Sequence, residues 1–164
     1  MALLPIVQYP DDILETPASE VTEITDETLQ LLADMYQTMV ENDGIGIAAP
    51  QVNHSLRIAI VELDEESGLF EMINPEIISQ EGSSIDVEGC LSFPGVYGTV
   101  DRADYIVVRF TDRFGDEYEV EADGYLARAF QHEIEHLEGK LFTDKIIEHI
   151  DPQDLESYME EHGE

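Results

Sequence analysis

Apolar residues recur at helical spacing over 27–42, where Leu29, Leu32, Met35, Tyr36, Met39 and Val40 share one side of a helix. Thr25 and Asp26 stand where an N-cap belongs, and Gly44 follows just past the end. The apolar residues of this helix read as core. The run 57–63 is apolar and β-branched, as a strand would be. Segments 103–111 and 117–122 flank the turn-like 112–116, which contains Gly115, and together predict a β-hairpin. A second helix is expected over 125–138, opening after Asp123-Gly124 and stopping at Gly139, and a short acidic helix over 151–161 closes the chain. Strands gathered between two main helices predict an α+β fold rather than an alternating α/β sheet.

Composition narrows this picture. The chain has 164 residues, which suits one domain over 1–164, and no repeat or linker marks a boundary. With 43% hydrophobic residues it is globular, although 38 Asp+Glu against 7 Lys+Arg give a net charge of −31. A polyanion repels nucleic acid and anionic membranes, so neither is expected as a direct partner. Only Lys140 and Lys145 are lysines, against five arginines. Adaptation to high salt, where a Debye length of roughly 3 Å at 1 M removes most self-repulsion, accounts for that balance, as does deliberate charge engineering. A single cysteine excludes an intramolecular disulfide. The start MALLPIVQYP lacks a basic region and meets Pro5 and Pro10 early, and no apolar run approaches the roughly 20 residues of a membrane span. A soluble, cytoplasmic, monomeric protein is expected.

The strongest chemical signal is His132-Glu133-Ile134-Glu135-His136 within the second helix. Residues four apart lie one turn apart on the same face, so both imidazoles can reach one metal ion. Glu133 sits where it can act on a metal-bound water. Catalytic sites usually take three protein ligands and keep a position open. Candidates for the third are Cys90, His54, His149, His162 and many carboxylates. A lone cysteine is more often a small buried hydrophobe, but beside a His pair that lacks a third ligand the balance favours Cys90. The segment 44–51, GIGIAAPQ, imitates the dinucleotide pattern G-x-G-x-x-G/A. That fingerprint needs a strand before it and a helix after it, whereas here a helix precedes and Pro50 interrupts. Its glycines instead point to a backbone that passes close to another element or an extended ligand.

Three segments, GIGIAAPQ at 44–51, EGCLS at 88–92 and QHEIEHLEG at 131–139, together resemble the peptide deformylases, metallohydrolases that remove the formyl group from new polypeptide N-termini. Their order matches that family, and Asn74-Pro75-Glu76 and the segment 123–127 extend the likeness over nearly the whole chain. The resemblance implies an α+β domain with mixed or antiparallel sheets around a central helix that carries H-E-x-x-H. It implies that Cys90, His132 and His136 ligate one divalent ion, typically Fe²⁺, with Zn²⁺, Ni²⁺ or Co²⁺ able to substitute. Glu133 is then the general acid/base, and the Gln51 amide and the Leu91 backbone N–H stabilise the oxyanion. An N-formyl-methionyl nascent peptide is expected to lie extended beside Ile45 and Gly46. Tyr125 and Ala129, on the metal-facing side of the helix, are candidates for the methionine pocket, with ordinary core packing the competing explanation. One departure is Glu135, where the family has Asp; Arg102 is the candidate cation for its carboxylate. A zinc-type peptidase with the same helix motif, and a domain that keeps the metal only for stability, are the competing functions. The upstream cysteine argues against the peptidase.

Overall fold

The computed structural model describes residues 3–151 and 153. Thr25 caps the first helix, α1 (Asp26–Glu41): its hydroxyl accepts from the Thr28 N–H, and the Thr28 hydroxyl accepts from the Thr25 N–H. The buried stripe runs through Thr28, Leu31, Leu32, Met35, Thr38 and Met39. Val40, expected in the core, is instead 49% exposed, and Leu29 and Tyr36 are half-buried. At about 100° per residue Val40 has turned off the face that Met39 occupies, and Leu31 takes the inner position.

Eight strands follow: β1 (Gly46–Ala48), β2 (Ile58–Glu62), β3 (Leu69–Glu81), β4 (Ser84–Cys90), β5 (Phe93–Arg102), β6 (Tyr105–Thr111), β7 (Glu117–Asp123) and β8 (Glu148–Ile150). A five-stranded sheet has the order β1-β2-β3-β6-β7, and a three-stranded sheet has the order β4-β5-β8. Every strand pair is antiparallel. The expected hairpin is β6–β7, in register from Tyr105 opposite Asp123 to Thr111 opposite Glu117.

The second helix, α2 (Gly124–Leu137), lies between the sheets. Its Ala127, Phe130, Ile134 and Leu137 pack on Ala59 and Val61 of β2, Met72 of β3 and Ile106 and Val108 of β6. On the far face of that sheet, Ile58 and Ile60 of β2 meet Leu31, Leu32, Met35 and Met39 of α1. Burial on both faces explains why β2 is an unbroken apolar run rather than an alternating one. Helix α2 ends at Gly139, whose φ of +76° a side chain would strain. A Cβ there would also stand 2.8 Å from the Glu15 carbonyl oxygen.

The fold is therefore α+β around a central helix, as expected, with antiparallel strands throughout. The expected helix over 151–161 falls, apart from residues 151 and 153, outside the described residues. Periodicity overlooked most of the second sheet and also β3. That strand contains Asn74-Pro75, with Asn74 at φ +53° and a register shift between Ile73 and Glu76. Strands β4 and β5 are diluted by Gly89, Gly95 and Gly98.

Candidate metal centre

Helix α2 is buried nearly all round, which its sequence makes unusual: opposite the apolar stripe stand Arg128, His132, Glu133 and His136, each at most 8% exposed. Ionisable groups are buried only when they are paired or at work. His132 and His136 lie one turn apart, and the end of β4 brings Cys90 to them. The Cys90 Sγ is 3.3 Å from His136 Nε2, and one ligand atom from each of the three residues lies within 4.8 Å of the others. The remaining histidines of the sequence reading do not join: His54 and His149 are exposed, and His162 lies outside the described residues.

Behind the histidines is a buried charge network. His132 Nδ1 donates to Glu88 Oε1 at 2.9 Å, which leaves Nε2 to face Cys90. Glu88 also accepts two bonds from Arg102, Nε to Oε2 and Nη2 to Oε1, both 2.9 Å, and one from Arg128 Nη1 at 2.8 Å. Burial pushes the Glu88 carboxyl up, but bonds from Arg102 and His132 outweigh it and hold it far below the usual carboxylate range. The third arm of Arg102 reaches Glu135, Nη1 to Oε1 at 2.6 Å, as the sequence suggested. Lys145 pairs with the other oxygen of Glu135. Three of the chain's seven basic residues thus converge on two carboxylates beside the His pair.

Sequence reasoning missed Glu88, Arg128 and Lys145. Among 38 acidic residues a single glutamate draws no notice, yet Glu88 stands two residues before Cys90 and so on the same face of a strand. Arg128 stands four before His132, on the same helix face, in a chain with few cations to spare.

Glu133 is buried with no hydrogen-bond partner at Oε1 among the described residues, and burial pushes its carboxyl up to about 7. The backbone of β1 passes directly against it: a Cβ on Gly46 would lie 2.6 Å from Glu133 Oε2. This is the close approach that the glycines of 44–51 anticipated. Gln51 sits on the 3₁₀ turn Ala49–Val52. Its Oε1 accepts from the Ala48 N–H at 3.0 Å, so its amide nitrogen turns toward Ser92 Oγ at 3.2 Å and Cys90 Sγ at 3.6 Å. The N-terminal segment clamps both sides of this arrangement, with Val7 N–H donating to the Gln51 carbonyl and Tyr9 N–H to that of Ser92.

A cleft of about 370 Å³ opens over these groups. Ile45, Gly46, Gln51, Cys90, Leu91, Tyr125, Ala129, His132 and Glu133, nine of the ten residues expected at the site, line it. His136, the tenth, is buried beneath. Ala129 also belongs to the core cluster under α2, so pocket lining and packing are both true of it. The donors suit a divalent ion. One thiol and two imidazoles are the ligand types that borderline metals take, three of them leave a position open, and the Glu88 bond fixes the His132 tautomer. The Nδ1 of His136 has no hydrogen-bond partner among the described residues, and burial holds that imidazole well below its ordinary pKa.

Residues 3–151 match the family model described as polypeptide deformylase. The chain is 49% identical over 156 residues to peptide deformylase 1 of Bacillus cereus, covering 95% of this chain and 100% of that one. Peptide deformylase 1 of Bacillus subtilis is 48% identical over 155 residues, covering 94% of this chain and 97% of that one. Among solved structures, the peptide deformylase of Thermotoga maritima superposes with a TM-score of 0.85 at 36% identity, over 88% of this chain and 97% of that one.

Proposed function

The chain belongs to the polypeptide deformylase family, and from that premise we propose how its residues work. It is a hydrolase of protein biosynthesis that removes the formyl group from the N-termini of new polypeptides, and it uses a metal ion. In the proposed assignment Cys90, His132 and His136 hold that ion. When bound, the ion supplies a Lewis acid that lowers the pKa of water to near neutrality.

The chain's own residues do the rest. Glu133, buried against Gly46 at the cleft, takes a proton from water and delivers it to the departing amine, a role commonly worth about 10²–10⁴-fold. The formyl C–N bond breaks, leaving formate and a free α-amine. The Gln51 amide, whose direction the Ala48 N–H fixes, and the Leu91 N–H donate to the formyl oxygen as charge develops there. Each such donor can be worth roughly 3 kcal/mol. The N-formyl-methionyl peptide lies extended along Ile45–Gly46 as an added strand, and the methionine side chain lies toward Tyr125 and Ala129. Glu88 positions His132, and the Arg102–Glu135–Lys145 chain braces Glu88 in turn.

Fe²⁺ is the ion we propose, with Zn²⁺, Ni²⁺ and Co²⁺ compatible with the same donors. The working unit is a monomer of one domain in the cytoplasm, without direct nucleic-acid contact because of its charge. Among the described residues no helix is long and apolar enough to cross a membrane. The excess of acids is an adaptation to high salt, so stability should rise with added salt.

The observation that carries the assignment is the meeting of Cys90, His132 and His136 beside buried Glu133. Its test is Glu133→Ala: metal content should stay at the wild-type value while formate release falls at least 10²-fold. Near-normal formate release by that variant would overturn the role given to Glu133.

A further inference from the structure

We propose that the N-terminal segment is a strap that positions the oxyanion donor Gln51, acting through the backbone N–H groups of Val7 and Tyr9. This rests on the deformylase function and on the roles given above to Gln51 and Leu91.

The two oxyanion donors stand on different sheets. Gln51 belongs to the turn Ala49–Val52 that follows β1, at the edge of the five-stranded sheet. Leu91 lies between β4 and β5 of the three-stranded sheet. One formyl oxygen can accept from both only if the two turns keep a fixed spacing. Leu91 adjoins Cys90, so the cluster of Cys90, His132 and His136 fixes its side. Gln51 is not a member of that cluster, and hydrogen bonds set its place.

The strap crosses the gap between the turns. Val7 N–H donates to the Gln51 carbonyl at 2.7 Å, and Tyr9 N–H donates to the Ser92 carbonyl at 3.0 Å. Two residues of chain reach at most about 7 Å, so these bonds hold the turns to that span. Gln51 and Ser92 are 2% and 0% exposed, and a buried carbonyl needs its partner. Side chains seat the strap: Val7 packs with Phe93 and Phe142 in the cluster that Cys90 borders, and the Tyr9 ring stacks on Phe93 at 5.1 Å. Gln51 is then held at its carbonyl by Val7, at Oε1 by the Ala48 N–H and at Nε2 by Ser92 Oγ. The second N–H of its amide is left for the cleft. Losing the Val7 or Tyr9 bond lets the two turns shift against each other, and the amide loses its aim.

Leu4 supplies a control within the same segment. Its N–H donates to Thr38 Oγ1 on α1 at 2.9 Å, and neither residue lines the cleft. The experiment replaces Leu4, Val7 or Tyr9, one at a time, by the α-hydroxy acid with the same side chain, which exchanges the N–H for an ester oxygen. Formate release from formyl-Met-Ala-Ser by the metal-loaded enzyme gives kcat and KM, with metal content and thermal unfolding read on the same samples, in wild type and in Gln51→Ala.

The Val7 and Tyr9 esters should each lower kcat about fivefold, the weight of one orienting hydrogen bond, with KM within twofold and metal content unchanged. The Leu4 ester should lower the unfolding temperature by as much and leave kcat within twofold of wild type. In Gln51→Ala the Val7 and Tyr9 esters should cost less than twofold more, because the group they aim is gone. A kcat within twofold of wild type for both esters, an equal loss in the Leu4 ester, or the full loss persisting in Gln51→Ala would overturn the strap's role. Loss of metal or of cooperative unfolding in both esters would assign these bonds to folding and overturn it as well. Failure of loaded wild-type enzyme to release formate would overturn the deformylase function, and the strap's role with it.

Discussion

Replacing Gly46 by alanine should disable the enzyme without touching a metal ligand. The added Cβ would lie 2.6 Å from Glu133 Oε2 and 3.0 Å from its Cδ and Cγ, where ordinary contact begins at 3.4 Å. Relief therefore requires the carboxylate oxygen to move by 3.4 − 2.6 = 0.8 Å. A catalytic group misplaced by about 1 Å costs on the order of 10²-fold, or about 2.7 kcal/mol in the barrier. Backbone strain adds nothing, since Gly46 is not among the glycines with positive φ. Overpacking a buried site costs roughly 1–3 kcal/mol of stability, so the protein should still fold. The assay is formate release under saturating peptide, with metal content and thermal unfolding measured on the same sample. The expected result is kcat down about 10²-fold with wild-type metal content. Activity within threefold of wild type would refute the reasoning, because it would mean that Glu133 is free to move or is not the working group.

Other perturbations separate the parts of the site. Cys90→Ala and His132→Ala should each lose the metal, read as metal content after desalting, in contrast to Glu133→Ala. Glu88→Ala leaves buried Arg128 without a carboxylate and buried Arg102 with Glu135 alone, which should cost about 3–5 kcal/mol in unfolding free energy. The same variant should weaken metal affinity by about 10–100-fold through the lost bond to His132, measured by competition with a chelator. Lys145→Ala removes one half-exposed partner of Glu135 while Arg102 stays, so its cost in chemical denaturation should be under about 1 kcal/mol.

The readable parts of this molecule were those where one physical rule acted alone. Helix α1 and the β6–β7 hairpin each show a single period and a clear boundary, and both appear where the pattern puts them. Helix α2 was legible for a different reason: its polar residues repeat at the helical period as regularly as its apolar ones, because both faces are buried. Strand β3 was lost where Asn74-Pro75 breaks its alternation, and the glycines of β4 and β5 thin the apolar signal. At the site, side chains with unusual chemistry stood out, namely the histidine pair and the lone cysteine. Glu88 did not, since what distinguishes it from 37 other acids is its surroundings: two arginines and a histidine arriving from two other elements, β5 and α2. Arg102 and Glu135 were paired correctly because a carboxylate on a buried helix must find a cation and few exist in this chain.

The most direct test of the account is a metal titration of the stripped protein under anaerobic conditions, with formate release from a formyl-methionyl peptide measured at each step. Activity should rise linearly with added Fe²⁺ and level off at one ion per chain, and Cys90→Ala should stay flat throughout. Formate release by metal-free protein, or a Cys90→Ala variant that titrates like wild type, would contradict a centre built from Cys90, His132 and His136.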